Sequence, residues 1–218
     1  MKLRAQVALL RVAAWMSSRY SQRLVVAALN LAWTLERAGR SPNATAAYQV
    51  AIAECRRLSV LDLRARKQLA GSLSALSYCL CRQRRHDEEI AARAEAISLW
   101  RDITPDGPEL VKSLHDQAIA FHAAGRHDEA VKAWAEAIQL RAPLAASDNE
   151  HRAYLASAQR WRADSLATLG CYREALADLD ASIAGYREAA SVEPDYFAQV
   201  ELTIHIKLEV MARSEPAE

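Results

Sequence analysis

RHDEEIAARAEAISL at residues 85–99 and RHDEAVKAWAEAIQL at residues 126–140 are nearly identical stretches that start 41 residues apart. Aligning them fixes a register in which two weaker copies are found, GRSPNATAAYQVAI from Gly39 and GCYREALADLDASI from Gly170. A segment that recurs in this way is typical of a repeat protein, in which every repeat must present the same packing surface to its neighbour.

The spacing within each copy predicts a pair of antiparallel helices. A small residue lies seven positions before each start and a large apolar residue follows it three positions later, which suits two helices that cross closely. Gly39, Gly125 and Gly170 fit the left-handed cap of the first helix, and Asp87 and Asp128 fit the first turn of the second. The small residues are Ala32, Ser77, Ala118 and Ala163, and the large ones are Leu35, Leu80, Phe121 and Leu166.

These residues resemble the tetratricopeptide repeats. The match consists of the small residue, the large apolar residue, the glycine, an alanine, an aromatic residue (Tyr48 or Trp134) and a final Ala-Ile, and it covers most of residues 20–190. The copies start at residues 39, 84, 125 and 170, so the period is 41–45 residues instead of the usual ~34. The chain is therefore similar to the long-period variety found in kinesin light chains and in bacterial regulatory proteins.

The resemblance implies an all-α fold, a right-handed superhelical α-solenoid of antiparallel helix pairs with about ten helices. We expect one domain over residues 1–218. Its expected parts are a half-repeat helix at 1–17, repeats at 20–59, 62–102, 108–142 and 149–191, and a capping segment at 195–213.

The sequence VELTIHIKLEV, residues 200–210, leaves two structures open. Its strict alternation of apolar and polar residues is typical of a strand, but a single strand would have no partner in a solenoid, which favours a helix. As a helix it would carry two apolar stripes on nearly opposite sides. One stripe would dock on the repeats, and the other, Leu202, Ile206 and Val210, is a candidate dimer or partner surface.

In the family that the chain resembles, the first helices of successive repeats line a groove for a peptide or a partner helix. We therefore expect a protein or peptide partner with apolar and acidic character, held by a few aromatic and arginine anchors. Trp33, Tyr78 and Trp161 are the strongest candidates among them. The predicted lining consists of Asn30, Trp33, Arg37, Tyr78, Arg82, Lys112, His115, Asp116, His122, Arg160, Trp161 and Asp164.

The second repeat departs from its own pattern at three positions. Arg84 replaces the capping glycine, Glu89 replaces alanine and Arg93 replaces the aromatic residue. Glu89 and Arg93 are four residues apart on a helix and could pair with each other. Either the repeat has drifted and has a looser turn, or RQRRHDEE, residues 82–89, forms an exposed charged knuckle.

The charge is distributed unevenly along the chain. Residues 1–85 contain 15 Lys and Arg residues and three acidic ones, a net charge of +12, whereas residues 86–218 contain 13 and 24, a net charge of −11. An adaptor that receives an acidic partner is favoured over a nucleic-acid-binding protein, because no helix-turn-helix or basic arm is found. Head-to-tail self-association into a homo-oligomer is a third hypothesis. The candidate basic patch is Arg64, Arg66, Lys67, Arg84 and Arg85.

No motif of an enzyme, a cofactor site or a metal site is recognised. One cluster resembles an acid–base or metal site, and it consists of His115, Asp116 and His122. Its histidines are seven residues apart, which does not match the i, i+4 pair of helical zinc sites. The four cysteines are too scattered for a zinc ribbon and are expected as reduced thiols. No segment has the ~20 apolar residues of a membrane span. The sequence therefore predicts a cytoplasmic interaction protein without catalytic residues, metal, cofactor or membrane contact.

Overall fold

The computed structural model describes residues 2–14, 18–59 and 62–214, and within these ranges the chain is α-helical without a β-strand. Ten α-helices and one short 3-10 helix are found there, in agreement with the predicted all-α fold of paired helices. Residues 1 and 15–17 of the expected half-repeat helix lie outside the described residues. The helices are α1 (Lys2–Ala14), α2 (Ser18–Arg37), α3 (Ser41–Ser59), α4 (Leu63–Arg82), α5 (His86–Ile103), α6 (Pro108–Ala123), α7 (His127–Ala145), α8 (Asn149–Thr168), α9 (Tyr172–Ala190) and α10 (Phe197–Ser214), with the 3-10 helix at Pro194–Tyr196.

The helices group into two compact units, unit 1 at Met1–Ser113 and unit 2 at Leu114–Glu218, and the boundary falls inside α6. In unit 1 the contacts run α1–α2, α2–α3, α3–α4 and α4–α5, and in unit 2 they run α7–α8, α8–α9 and α9–α10. Because these sequential neighbours pack pairwise, they cover their apolar faces with one another. That the pairs form one continuous solenoid stays a prediction.

The turns between paired helices have the predicted left-handed residue. Gly125 has φ +71°, and the following N–H of Arg126 donates to the Phe121 carbonyl at 2.9 Å, which is the hydrogen bond of a Schellman cap. Arg84 takes the same conformation, with φ +57°, and Arg85 N–H donates to Leu80 O at 3.1 Å. The turn of the second repeat is therefore not looser than the others, although it lacks the glycine.

The Arg84 backbone should be a site of strain, because a side chain in this conformation costs about 1 kcal/mol or more. Replacing Arg84 by Gly is expected to raise the free energy of unfolding by about 1 kcal/mol. Urea denaturation of the variant measures this, and Gly125→Arg is the matched control, with an expected loss of similar size. Equal or lower stability of Arg84→Gly would contradict the expectation.

One position of the repeat fills the core of each helix pair. Tyr48, Arg93, Trp134 and Leu179 stand nine residues after the start of their copies, and all four are buried. Four residues earlier, on the same face of the helix, the copies have Ala44, Glu89, Ala130 and Ala175, which are also buried. The second repeat thus has an acid and a base where the third has Ala and Trp.

Glu89 and Arg93 form the ion pair that their spacing predicts, but the pair is not on the surface. Glu89 is 1% and Arg93 5% exposed, and both Nε and an Nη of Arg93 donate to Glu89 Oε1, at 3.1 and 3.0 Å. The guanidinium lies 4.8 Å from the ring centroid of Tyr78. The expectation of a fully exposed charged knuckle at residues 82–89 is therefore wrong at Glu89, because its charge is matched by Arg93 inside the helix pair.

The capping segment at 195–213 is a helix, so the choice left open by its alternating sequence is settled. Val200, Thr203 and Val210 of α10 are buried, and they face the clusters formed with α8 and α9. Thr203 is accommodated because its hydroxyl donates to the Gln199 carbonyl at 2.7 Å. In the ranges that the structure describes, none of the helices combines the length and apolar character needed to cross a membrane.

Candidate functional site

The exposed face of α2 carries part of the predicted lining. Val26, Asn30, Trp33 and Arg37 are separated by four, three and four residues, so they lie on one side of the helix, and all four are exposed. The Arg37 guanidinium lies 4.7 Å from the centre of the Trp33 ring, a cation–π contact. An apolar side chain, an amide and an aromatic–cation pair therefore follow one another along α2.

The neighbouring helix α4 presents a similar face. Arg64, Tyr78 and Arg82 are exposed along it. Arg82 reaches across to α2, where an Nη lies 3.8 Å from Glu36 Oε1. Glu36 Oε2 in turn accepts a hydrogen bond of 2.9 Å from the hydroxyl of Tyr48. Burial, together with this bond, raises the pKa of Tyr48, so the phenol stays protonated and holds Glu36 in place.

A cavity of about 1020 Å³ opens between α1, α2 and α4, and we call it the N-terminal groove. Its apolar part includes Leu9 and Val26, of which 73% and 50% are exposed. Its polar part consists of four amides and two arginines, and no carboxylate is found among the described residues that line it. The lining residues are Ala5, Gln6, Leu9, Leu10, Gln22, Arg23, Val26, Ala27, Asn30, Arg64 and Gln68.

The N-terminal groove contains two predicted residues, Asn30 and Arg64, and several that the sequence analysis missed. Leu9, Arg23 and Val26 were missed because the predicted lining began at Asn30. Val26 and Arg23 lie four and seven residues before Asn30 on the same helical face, so helical periodicity could have identified them. No comparable sequence signal places Leu9 there, since its position depends on how α1 packs against α2.

In unit 2 two exposed aromatic residues of α8 each lie beside an arginine. Tyr154 and Trp161 are seven residues apart on α8 and both are partly exposed. The Trp161 ring lies 5.5 Å from the guanidinium of Arg160. Arg141 lies 4.9 Å from the centre of the Tyr154 ring. The predicted Trp161 thus has an aromatic neighbour on the same face, which the sequence analysis did not identify.

His122 is the centre of the polar contacts in unit 2. Its Nδ1 lies 3.0 Å from Ser165 Oγ, its Nε2 lies 3.4 Å from Asp164 Oδ2, and the ring of Trp161 is 5.5 Å away. Burial lowers the pKa of His122, and this effect outweighs the opposite influence of Asp164. Ser165 is 0% exposed, so a substrate could not reach its hydroxyl. The contact between His122 and Ser165 therefore packs α6 against α8, and the Asp164 side chain at its edge is 46% exposed.

His115 lies in a different environment from His122. Its ring meets the edge of the buried Trp134 at 4.6 Å between centroids. Burial lowers the pKa of His115 to about 4, with Asp116 and Arg141 acting in opposite directions. In the described part of the chain no group of three His, Cys, Asp or Glu residues could hold a metal ion. Of the other predicted residues on α6, Lys112 is exposed and Asp116 half-buried.

The predicted basic patch is not one cluster. Arg66 lies 3.1 Å from Asp102, and Arg85 donates to both carboxylate oxygens of Glu88 at 2.7 and 2.6 Å. Arg64 belongs to the N-terminal groove, and Lys67 and Arg84 are exposed. Arg64 lies in the first turn of α4 and Arg84 lies two residues beyond its last residue, and the helix of 20 residues between them is roughly 30 Å long.

The predicted partner stripe on α10 needs a correction. Val210 is buried and Ile206 packs against the cluster formed with α8 and α9, so of the three residues only Leu202 is exposed. The helix docks along a line between its two apolar stripes, because Thr203 takes part in the buried face. The exposed residues of α10 include Phe197, Glu201, Leu202, Leu208, Glu209 and Met211, and we call them the α10 face.

Comparisons with known proteins agree with this architecture. The tetratricopeptide repeat family model matches residues 68–142. The crystal structure of BtubC (BKLC) from P. vanneervenii superposes with a TM-score of 0.62 at 15% identity, covering 100% of this chain and 92% of that one. MamA gives a TM-score of 0.57 at 15% identity, with 79% and 88% covered. None of the curated proteins matches the chain by sequence.

A third structure contains a bound factor. It is the Rap protein in complex with competence and sporulation factor, with a TM-score of 0.55 at 14% identity, covering 90% of this chain and 57% of that one. At such identities the likeness shows the fold alone. The repeat architecture is thereby shared with these proteins, and the surfaces described above belong to this chain.

Proposed function

The chain carries tetratricopeptide repeats, and we propose that it is a non-enzymatic protein-interaction module, an adaptor or regulatory subunit, that holds a partner helix or peptide in the N-terminal groove. The observation that carries the proposal is the lining of this groove, in which exposed Leu9 and Val26 lie beside Arg23 and Arg64. Exposed apolar side chains next to amides and cations are typical of a binding surface. The binding of competence and sporulation factor by the Rap protein is consistent with such a role for the fold.

The groove favours a partner that is apolar on one side and acidic at its margin. Leu9 and Val26 would contact apolar side chains, and Arg23 and Arg64 would pair with carboxylates. The charge of unit 1 supports this choice, because it has 18 Lys and Arg residues and 10 acidic ones, a net charge of +8. Trp33 and Tyr78, on the same faces of α2 and α4, would extend the contact beyond the groove.

The cysteines support a cytoplasmic location for this module. All four are free thiols, and Cys55 and Cys79 are buried. Free thiols are usual in a reducing compartment, whereas secreted proteins pair their cysteines.

Nucleic acid is a weaker candidate than an acidic protein as the ligand of the arginines in unit 1. Arg66, Arg82 and Arg85 each have a carboxylate within 4 Å, in Asp102, Glu36 and Glu88. A phosphate backbone would have to compete with these carboxylates for each arginine. We therefore expect no shift of a random DNA duplex at 150 mM salt, and a shift that weakens steeply with added salt would favour nucleic acid instead.

Selection of 20-residue peptides from a displayed random library on the immobilised chain tests the proposal. The selected peptides should combine Leu, Ile or Phe at helical spacing with Asp or Glu. In fluorescence anisotropy, Val26→Glu and Arg23→Glu should each weaken the binding of the selected peptides tenfold or more. Val26→Glu introduces a carboxylate that the peptide would bury, and Arg23→Glu reverses a charge.

Two exposed residues outside the groove provide matched controls. Val192→Glu and Arg40→Glu make the same chemical changes on exposed side chains, and they should leave peptide affinity unchanged. Peptides that bind equally well to the groove variants would show that the groove is not the site.

A further inference from the structure

The α10 face is an exposed apolar surface at the C-terminal end of the described repeats. Phe197, Leu202, Leu208 and Met211 are between 42% and 56% exposed. None of the four belongs to the buried clusters that Val200 and Val210 join. Because α10 docks along a line between its two apolar stripes, Leu208 and Leu202 lie on the two flanks of the helix, about 120° apart. Apolar side chains that stay exposed on a docked helix present a surface suited to another protein.

Two acidic residues lie between these apolar flanks. Glu201 and Glu209 are exposed and stand eight residues apart, a little over two helical turns, and around the helix both lie between Leu208 and Leu202. Lys207 lies to one side, where its Nζ contacts Asp180 at 2.5 Å, so this cation is matched within unit 2. The α10 face therefore combines apolar side chains on its two flanks with a pair of carboxylates between them.

The N-terminal groove has the opposite chemistry. It offers exposed Leu9 and Val26 between Arg23 and Arg64, and no carboxylate is found among its described lining residues. The complementarity extends to whole units, because unit 2 has 10 Lys and Arg residues and 17 acidic ones, a net charge of −7, against +8 for unit 1. Opposite net charges of this size favour encounter between unit 1 of one molecule and unit 2 of another.

We propose that the partner helix of the N-terminal groove is the α10 face of a second copy of this chain. The proposal rests on the proposed function, since it assigns an occupant to the same groove. Leu202 and Leu208 would contact Leu9 and Val26, and the carboxylates of Glu201 and Glu209 would pair with Arg23 and Arg64. The contact is head-to-tail, so each bound pair keeps one free groove and one free α10 face, and further copies can add.

Sedimentation equilibrium of the full chain at 1–100 µM tests for this association. We expect a mass that rises with concentration above the 24.1 kDa of the monomer at 50 mM salt. The rise should be weaker at 500 mM salt, because the Arg–carboxylate pairs are screened.

Two single variants separate the two halves of the contact. Val26→Glu places a charge in the N-terminal groove, and Leu208→Glu places one on the α10 face. Both residues are exposed, so the variants should fold, and circular dichroism will verify this. Each variant alone should remain monomeric. An equimolar mixture of the two should form a species of two chains and nothing larger, because only one intact groove and one intact α10 face remain per pair.

A charge swap tests the predicted pairing. Arg23→Glu with Arg64→Glu in one chain should abolish association with the wild-type α10 face. Mixing that chain with one that carries Glu201→Arg and Glu209→Arg should restore it, since the opposite charges then meet again.

Three results would overturn the proposal. The first is a monomer at all concentrations and salts, and the second is self-association of Val26→Glu as strong as that of the wild type, which would indicate an α10–α10 dimer or another surface. The third is a 1:1 mixture of Val26→Glu and Leu208→Glu that stays monomeric. The proposed function would survive each of these results if selected peptides still required Val26 and Arg23, so the two failures are distinguishable.

Discussion

Replacing Glu89 by Ala should lower the free energy of unfolding by about 3–5 kcal/mol, because the Arg93 guanidinium would stay buried without that carboxylate. The magnitude follows from the burial of both partners, 1% and 5% exposed, and from the 3.0 Å contact between them. Urea denaturation of the variant measures the loss. Glu88→Ala is the matched control, since Glu88 pairs with Arg85 on the surface, and it should cost less than about 1 kcal/mol.

The repeat itself supplies a compensating variant. Glu89→Ala combined with Arg93→Trp gives the second repeat the Ala130 and Trp134 pair of the third, which is buried in its own helix pair. Replacing a buried ion pair by well-packed apolar residues is often neutral or stabilising. The double variant should therefore be within about 1 kcal/mol of the wild type or more stable. If Glu89→Ala lowered the free energy of unfolding no more than Glu88→Ala does, the Glu89–Arg93 pair would contribute little to stability.

His115 should make unit 2 sensitive to acid. Its pKa is lowered by burial to about 4 in the folded chain, against about 6.5 in the unfolded chain. Below pH 6.5 the unfolded state therefore binds a proton that the folded state does not. The stability contributed by neutral His115 is present above pH 6.5 and is lost as the pH falls towards 4, by about 3 kcal/mol in total.

The variant His115→Phe isolates this effect. Phenylalanine keeps an aromatic ring at the edge of Trp134 but does not titrate. Urea unfolding at pH 7 and pH 4 should show a smaller acid loss for the variant than for the wild type, by up to about 3 kcal/mol. His205→Phe is the control, because His205 is exposed on α10. An equal acid loss in the wild type and in His115→Phe would contradict the expectation.

The sequence was sufficient for the fold because each repeat is specified locally. The small and large residues at the helix crossing and the left-handed caps at Gly39, Gly125 and Gly170 fixed the helix pairs, and the positive φ of Arg84 follows from the register even without glycine. The burial of Glu89 and Arg93 was not foreseen. Charged residues in a sequence normally indicate an exposed surface. Glu89 and Arg93 can be buried on the core-facing side of α5 because they pair with each other.

The surfaces were harder to predict than the fold. Asn30, Trp33, Arg37, Tyr78 and Arg82 lie on exposed faces of α2 and α4, because exposure along a helix follows its period. The N-terminal groove itself depends on how α1 packs on α2 through the cluster of Val7, Leu24 and Ala27. The docking line of α10 was missed because polar Thr203 is buried with its hydroxyl satisfied by the backbone.

The central claim is that the N-terminal groove binds a helical, acidic partner, and side-chain footprinting tests it most directly. Hydroxyl-radical labelling of the chain with and without a selected peptide should show protection of Leu9, Val26 and Trp33. Tyr154 and Trp161, which are exposed in unit 2, should be labelled equally in both samples. Protection confined to unit 2, with Leu9 and Val26 labelled as in the free chain, would contradict the account.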